Sequence, residues 1–382
     1  MKSLYYGRQF IDRHDIEQVT DALASDWLTQ GPRAAQFESM LCGYTGARYC
    51  VAVSSGTAAL HLACIACGLK PGDEVITSPI TFLATSNAVL YAGARPVFAD
   101  IDPLTVNIGR EAIEKRITKK TRAILPVHFA GLPCDMGAIN RIARKRSLVV
   151  IEDACHALGA EYMSGNMWHR IGACRHSDMS VFSFHPVKSI TTGEGGAITT
   201  NNAGLYEKLR ALRAHGIYKD KAVLAKKGPW YYQMKDLGFN YRITDMQCAL
   251  GISQLKKLKA FISKRGELAG LYQKLLHDCD SVQLPPVLDN CRSAWHLFFI
   301  RLKDHTKRRR VFERLLARKI HAQVHYIPVY DQPYYVKRSL ARRSDYPNAN
   351  RYYQSTISLP LHVSLRSADI RRVVKVLKDA IR

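Results

Sequence analysis

Apolar residues follow two rhythms along this chain, and the two rhythms alternate. Short apolar runs at 49–53, 74–78, 96–100, 123–128 and 148–152 predict strands. Between them, 58–67, 82–91, 111–117 and 136–146 space their apolar residues at helical intervals. Sustained strand–helix alternation argues for an α/β layer with a mainly parallel sheet. Binding sites in such sheets lie beyond the carboxyl ends of the strands.

The flanking segments read differently. Helical spacing covers 12–24, turn residues break it at 27–32, and Pro32 opens a second helix. Residues 203–215 predict a helix, and 228–241 are aromatic and irregular. From Thr244 to Leu275 the pattern is helical again, long enough to link two domains. Beyond it, 295–302 and 322–329 predict strands, and 309–318 and 367–381 predict helices. The reading is a large α/β domain over 1–250 and a smaller α+β domain over 251–382.

Composition adds limits. The chain has 382 residues, is 47% hydrophobic, and carries a net charge of +24 with a pI near 9.7. Basic runs at 115–122, 141–146, 307–310 and 337–343 are scattered at helical spacing beside apolar residues. They read as solvated helix faces rather than a nucleic-acid footprint, and they favour an anionic substrate such as a nucleotide diphosphate. The ten cysteines form no disulfide framework, which suggests a cytoplasmic protein. Cys64-Ile65-Ala66-Cys67 lies in an apolar helical run and reads as buried small residues. The spacing of Cys155-His156 and Cys174-Arg175-His176 matches no common zinc pattern, so no metal is expected. The N-terminus shows no apolar signal segment, and no run is long enough to insert in a membrane.

Four predicted strand ends carry unusual residues. Ser54-Ser55-Gly56-Thr57-Ala58 offers helix-start amides to a phosphate, or is a plain helix cap. Thr81-Phe82 supplies a ring to stack on a flat ligand, or to pack in the core. Glu152-Asp153 ends an apolar strand, where an acid is costly to bury without a partner. Asp153 there either faces a protonated pyridine nitrogen or caps the next helix, and His156 is close by. The fourth end is Phe182-Ser183-Phe184-His185-Pro186-Val187-Lys188. Pro186 stops the strand, which leaves Lys188 in a loop among Ser, His and Gly. Alone, Lys188 reads as a surface lysine. Jointly, the four ends supply phosphate donors, a ring stacker, a pyridinium partner and a Schiff-base lysine, the needs of pyridoxal phosphate chemistry.

These segments bring out a resemblance. Ser55-Gly56-Thr57, the run from Glu152 to Gly159, Phe182 to Lys188 with Thr192-Gly193-Glu194-Gly195-Gly196, and Gly238-Phe239-Asn240-Tyr241-Arg242 resemble the DegT-type nucleotide-sugar aminotransferases. The similarity runs from about Tyr6 to the end of the chain. It implies the fold type I architecture of pyridoxal-phosphate-dependent transferases, and a homodimer with shared sites. It implies Lys188 as the catalytic residue bonded to pyridoxal 5'-phosphate. It places Thr57, Ala58 and Ser183 at the phosphate, with Gly56 among the cofactor-binding residues and Asn240 arriving from the partner chain. Phe82 would stack on the ring, Asp153 would hold its nitrogen, and His156 and His185 would lie nearby. For the nucleotide sugar it implies Tyr6, Asp26, Trp27, Leu28, Thr29, Gln323, Val324, His325 and Tyr326.

Trp27 to Gly31, Phe184 to Lys188 and Ala322 to Tyr330 look most like members working in pseudaminic acid synthesis. That narrower likeness implies a UDP-linked 4-keto sugar as acceptor and L-glutamate as donor, leaving as 2-oxoglutarate. Two substrates using one site in turn imply ping-pong kinetics. Other 4-keto sugars, of the bacillosamine, legionaminic acid or perosamine type, are the alternative acceptors. A basic nucleic-acid-binding protein is the reading from a different class.

Overall fold

Seven strands form one twisted sheet at the centre of the structure, a computed structural model that describes residues 2–218, 221–338 and 340–382. Met1 and Ser339, which belong to the N-terminal reading and to the basic run 337–343, lie outside the described residues. From one edge the order is Tyr49–Val53, Gly196–Thr200, Met179–Ser183, Val149–Asp153, Thr121–Leu125, Glu74–Thr77 and Arg95–Phe98. Gly196–Thr200 runs antiparallel to both its neighbours, and the other strands are parallel to one another.

Side chains alternate across a strand, so each strand feeds two cores. Val150, Ala52, Ile76, Ile124 and Phe182 join one apolar layer, while Ile151, Val51, Val75, Ala123 and Val181 join the other. Phe182, Phe184 and Phe37 are fully buried in the first layer. Burial of a phenylalanine side chain is worth up to about 3 kcal/mol.

The helix Asp245–Leu276 is about 48 Å long at 1.5 Å per residue. Thr244 and Gln247 form a capping box at its start, and buried Asp245 accepts from the amides of Gly31 and Arg33 at 3.0 and 3.2 Å. Its first half packs on Pro32–Thr45 and its second half on Ser367–Ile381. Residue 250, where the sequence reading divided the chain, falls inside this helix. Buried Arg265 in its second half donates to the carbonyls of Trp295, His296 and Leu361.

A second core gathers around the antiparallel strands Val282–Gln283, Phe298–Leu302 and Thr356–Leu359. Leu4–Tyr5 pairs in parallel with Ile320–His321, so the N-terminal segment joins this part. The strand expected over 322–329 does not form. After Ile320–His321, only Gln323 bridges a neighbour, Ser358. His325 and Tyr326 pack instead against Tyr6, Phe82, Phe129 and His156, and this aromatic packing replaces a ladder. The antiparallel pair Glu161–Ser164 and Met167–Arg170, absent from the sequence reading, crosses at a glycine turn.

Adjacent acids in the central strand show how alternation sorts charge. Glu152 is buried on one side, where it accepts from Ser180 Oγ at 2.6 Å and from Ser177 Oγ, with His128 Nε2 2.8 Å away. Burial opposes its ionisation, but His128 and the two hydroxyls outweigh burial and hold its carboxyl below the usual range. A carboxylate with a lowered folded pKa stabilises above its unfolded value and loses that contribution as pH falls through the folded one. Glu152→Ala should therefore cost about 3 kcal/mol at neutral pH, read as a shift in the urea midpoint. The gap from wild type should narrow as the pH drops below the unfolded carboxyl value of 4.5. A constant gap down to acid pH would remove the carboxylate from the account.

Candidate active site

The parallel strands end on one side of the sheet, and a cavity of about 610 Å³ lies there. Strand Tyr49–Val53 delivers Ser55, Gly56 and Thr57 to it, and Glu74–Thr77 leads to Thr81 and Phe82. Thr121–Leu125 leads to Val127, Val149–Asp153 ends on Asp153, and Met179–Ser183 ends on Ser183. Lys188, on the loop after Ser183, stands on the same wall. From the other core come Tyr6, Gln323, Val324, His325 and Tyr326.

Ser55 caps the helix Gly56–Ala66, with its Oγ accepting from the Ala58 amide at 3.1 Å. A side chain at Gly56 would place its Cβ 2.8 Å from Ser183 Cβ, and one at Gly196 would meet the Ser55 carbonyl at 2.5 Å. Two glycines thus let the helix start press against the strand that leads into the Lys188 loop. The uncommitted amides at that helix start favour an anion.

Asp153 is 5% exposed. Its Oδ2 accepts from Thr85 Oγ1 at 2.6 Å, and Thr85 Oγ1 lies 2.7 Å from Thr81 Oγ1. Its Oδ1 accepts from the Cys155 amide at 3.1 Å. Asp153 forms no ion pair among the described residues. Lys188 is partly buried, and burial lowers its amine pKa against the opposing pull of Cys155 and Asp153. His156 is held far below the usual imidazole range by burial, then by the charges of Lys188 and His325. Burial, with Lys188, takes His325 down to about 3. Both rings are neutral at physiological pH. His156 Nε2 sits 3.1 Å from Tyr326 Oη, and His325 Nδ1 2.9 Å from Ser358 Oγ.

The structure brings together on the cavity wall Gly56, Thr57, Phe82, Asp153, His156, Ser183, His185 and Lys188, with Tyr6 and 323–326. Ala58 is buried behind the wall with its amide turned to Ser55. Asp26, Trp27, Leu28 and Thr29 are exposed and do not line the cavity within one chain. They lie beside the start of the long helix, where Thr29 bridges Thr244 and Asp245 N donates to Leu28 O. Asn240 is also exposed, and bridges Ala214 rather than lining the cavity. Sequence reasoning missed Thr85, because nothing in its helical surroundings marks a partner 68 residues away. It missed Leu60 and Val127, which read as ordinary core positions.

Comparison with known proteins finds relatives along nearly the whole chain. Residues 9–378 match the model of the DegT/DnrJ/EryC1/StrS aminotransferase family. The chain is similar to a Campylobacter jejuni UDP-4-amino-4,6-dideoxy-N-acetyl-beta-L-altrosamine transaminase, at 39% identity over 99% of this chain and 96% of that one. It is 40% identical to the Bacillus subtilis spore coat polysaccharide biosynthesis protein SpsC, over 99% and 97% of the two chains. Among solved structures, Helicobacter pylori PseC, an aminotransferase involved in the biosynthesis of pseudoaminic acid, superposes with a TM-score of 0.92 at 33% identity, covering 100% and 99%. The PLP form of a Streptococcus pneumoniae sugar aminotransferase, Spr1654, gives 0.91 at 27%, covering 100% and 99%. The chain therefore belongs to the DegT/DnrJ/EryC1/StrS aminotransferase family, and is a fold type I sugar aminotransferase that uses pyridoxal 5'-phosphate.

Proposed function

We propose that this enzyme transfers an amino group from L-glutamate to C4 of UDP-2-acetamido-2,6-dideoxy-β-L-arabino-hex-4-ulose. The product is UDP-4-amino-4,6-dideoxy-N-acetyl-β-L-altrosamine, a step of pseudaminic acid synthesis. The observation that carries the chemistry is Lys188 and buried Asp153 on one cavity wall, facing the glycine-packed start of a helix. The names of the Campylobacter and Helicobacter relatives support the sugar.

The residues present fit the cofactor. A buried carboxylate with no ion-pair partner suits a protonated pyridine nitrogen, so Asp153 is the residue to hold the ring. Thr85 orients that carboxylate. Helix-start amides at Gly56 and Thr57, with Ser183, suit the phosphate. Phe82, 59% exposed on the cavity wall, would cover the ring. When bound, pyridoxal 5'-phosphate supplies the electron sink that lets a C–H bond beside nitrogen ionise.

The chain's own contribution is to move and shelter a proton. The lowered pKa of Lys188 raises the share of neutral amine. Once displaced by the donor, Nζ accepts the proton leaving the donor α-carbon, and in the second half returns one to C4 of the sugar. The neutral rings of His156 and His325 add no competing positive charge beside that amine. Tyr6, Gln323 and His325 line the approach for the sugar.

The enzyme acts as a homodimer in which Asn240, and the strip Asp26, Trp27, Leu28 and Thr29, reach the partner's cavity. The support is exposure. Trp27 is 56% exposed, Trp230 78% and Leu237 79%, large apolar side chains that a partner chain would cover. Absence of these residues from their own cavity fits the same reading.

Lys188→Ala should lower turnover by at least about 10³-fold. The wild-type protein should be yellow, lose that colour with glutamate, and carry the cofactor on Lys188 after borohydride reduction and peptide mapping. Label on another lysine would overturn the assignment.

Inactive Lys188→Ala mixed with inactive Asn240→Ala should regain activity once subunits exchange, because one site of the heterodimer is then free of both defects. Exchange is read by sizing differently tagged chains. Exchange without any recovered activity would place Asn240 outside a shared site.

Incubated with glutamate, the purified enzyme should aminate the β-L-arabino 4-keto sugar faster than its D-xylo epimer, with products read by mass spectrometry. The shared uridine diphosphate anchors both epimers, so the difference should appear in kcat more than in nucleotide affinity. A faster D-xylo reaction would move the enzyme to another 4-keto sugar and leave the aminotransferase chemistry standing.

A further inference from the structure

Positive charge is spread unevenly along this chain. Residues 301–382 hold 20 of the 56 Lys and Arg, but only 6 of the 32 Asp and Glu. Two helices in this stretch, Arg308–Ala317 and Ser367–Ile381, pack side by side over the second core. Val311 and Leu315 of the first, and Ile370, Val373 and Leu377 of the second, turn inward. The outward face carries Arg309, Arg314, Arg318, Arg371, Lys375 and Arg382, all exposed.

Little of this charge is neutralised. Among the described residues, ion pairs on the two helices are Arg309–Glu313 and Arg366–Asp369. Asp304, Glu313 and Asp379 are the exposed acids there, and Asp278 faces Lys378 at one edge. Other cations bond backbone oxygens and so stay charged without a counter-ion. Lys307 Nζ donates to Ile381 O at 3.0 Å, Arg310 Nη2 to Ala380 O at 3.0 Å, and Arg372 Nη1 to Lys2 O at 2.7 Å. These contacts tie both helix ends and the N-terminal segment into one continuous basic layer.

We propose that this two-helix face docks the enzyme on an anionic lipid surface by electrostatic attraction, without insertion. The face is built from helices laid flat on a core, which suits a plane of headgroups. Its helices do not project, as entry into a nucleic-acid groove requires. Leu316 is its large exposed apolar side chain, and half-buried Phe312 is the one aromatic residue in the two helices, so this face offers no stacking platform for bases. Among the described residues no helix is long and apolar enough to cross a membrane, and the attraction proposed comes from the charge of this face. Each cation near an anionic surface adds about 1 kcal/mol, within a screening length of about 8 Å. None of the cavity-lining residues belongs to either helix, so docking leaves the active site free.

The test uses the holoenzyme and sedimented vesicles at about 0.15 M salt. It should bind phosphatidylcholine vesicles containing one-third phosphatidylglycerol, and not pure phosphatidylcholine vesicles. The set Arg314→Glu, Arg318→Glu, Arg371→Glu and Lys375→Glu should weaken partition by about 10³-fold. The equal charge change Arg141→Glu, Arg144→Glu, Lys145→Glu and Arg146→Glu, on the exposed face of another helix, should weaken it only a few-fold. Decolourisation by glutamate should be unchanged in both sets, which controls for folding. If the Glu set fails that control, the same four positions changed to Gln should still lower partition more than Gln at the other four. Equal loss in both sets, no binding to the anionic vesicles, or tighter binding to duplex or single-stranded DNA at the same salt would overturn the proposal.

Discussion

Everything at the active site depends on where the strand Val149–Asp153 ends. Two acids stand next to each other there, and the pleat sends them to opposite sides of the sheet. Glu152 goes into the core, where His128, Ser177 and Ser180 satisfy it. Asp153 goes to the cavity, where a threonine and an amide hold it but no cation pairs with it. A buried carboxylate left in that condition is costly unless a ligand completes it. The fold thus carries in its central strand one acid settled in the core and one at the cavity, the carboxylate proposed to hold a protonated pyridine nitrogen.

The walls of the cavity follow from the same geometry. Parallel strands end together, so Ser55, Phe82, Val127, Asp153 and Ser183 meet although they are far apart in sequence. Gly196 enters the one antiparallel strand at that edge and lets the loops before it close on the helix start. Burial then tunes the groups placed there. It lowers the Lys188 amine and keeps His156 and His325 neutral. A single lysine beside neutral rings is well suited to accept and return a proton.

Much of the large sheet was legible from periodicity, because strands buried on both faces read as unbroken apolar runs. The helices at 136–146 and 367–381 stand at the bounds their spacing predicts. Reading failed where packing overrode pattern. Residues 322–329 alternate like a strand, yet His325 and Tyr326 gain more from the aromatic cluster around Phe129 than from a ladder. The pair Glu161–Ser164 and Met167–Arg170 is short and mostly outside the core, so it leaves no apolar rhythm to read.

By itself, the sequence determined the alternation of elements, a strand that stops before Pro186 and leaves Lys188 in a loop, and the residue types at four strand ends. These are local properties, written in side-chain size, polarity and backbone freedom. Only the tertiary structure decided which ends meet. Thr85 bonds Asp153 across 68 residues, Tyr6 and His325 arrive from the second core, and Asp26 to Thr29 with Asn240 lie outside their own chain's cavity. Such placements depend on how the sheet twists and how the long helix sets one core against the other. No local pattern encodes them, because the energy that fixes them is shared among residues distant in sequence.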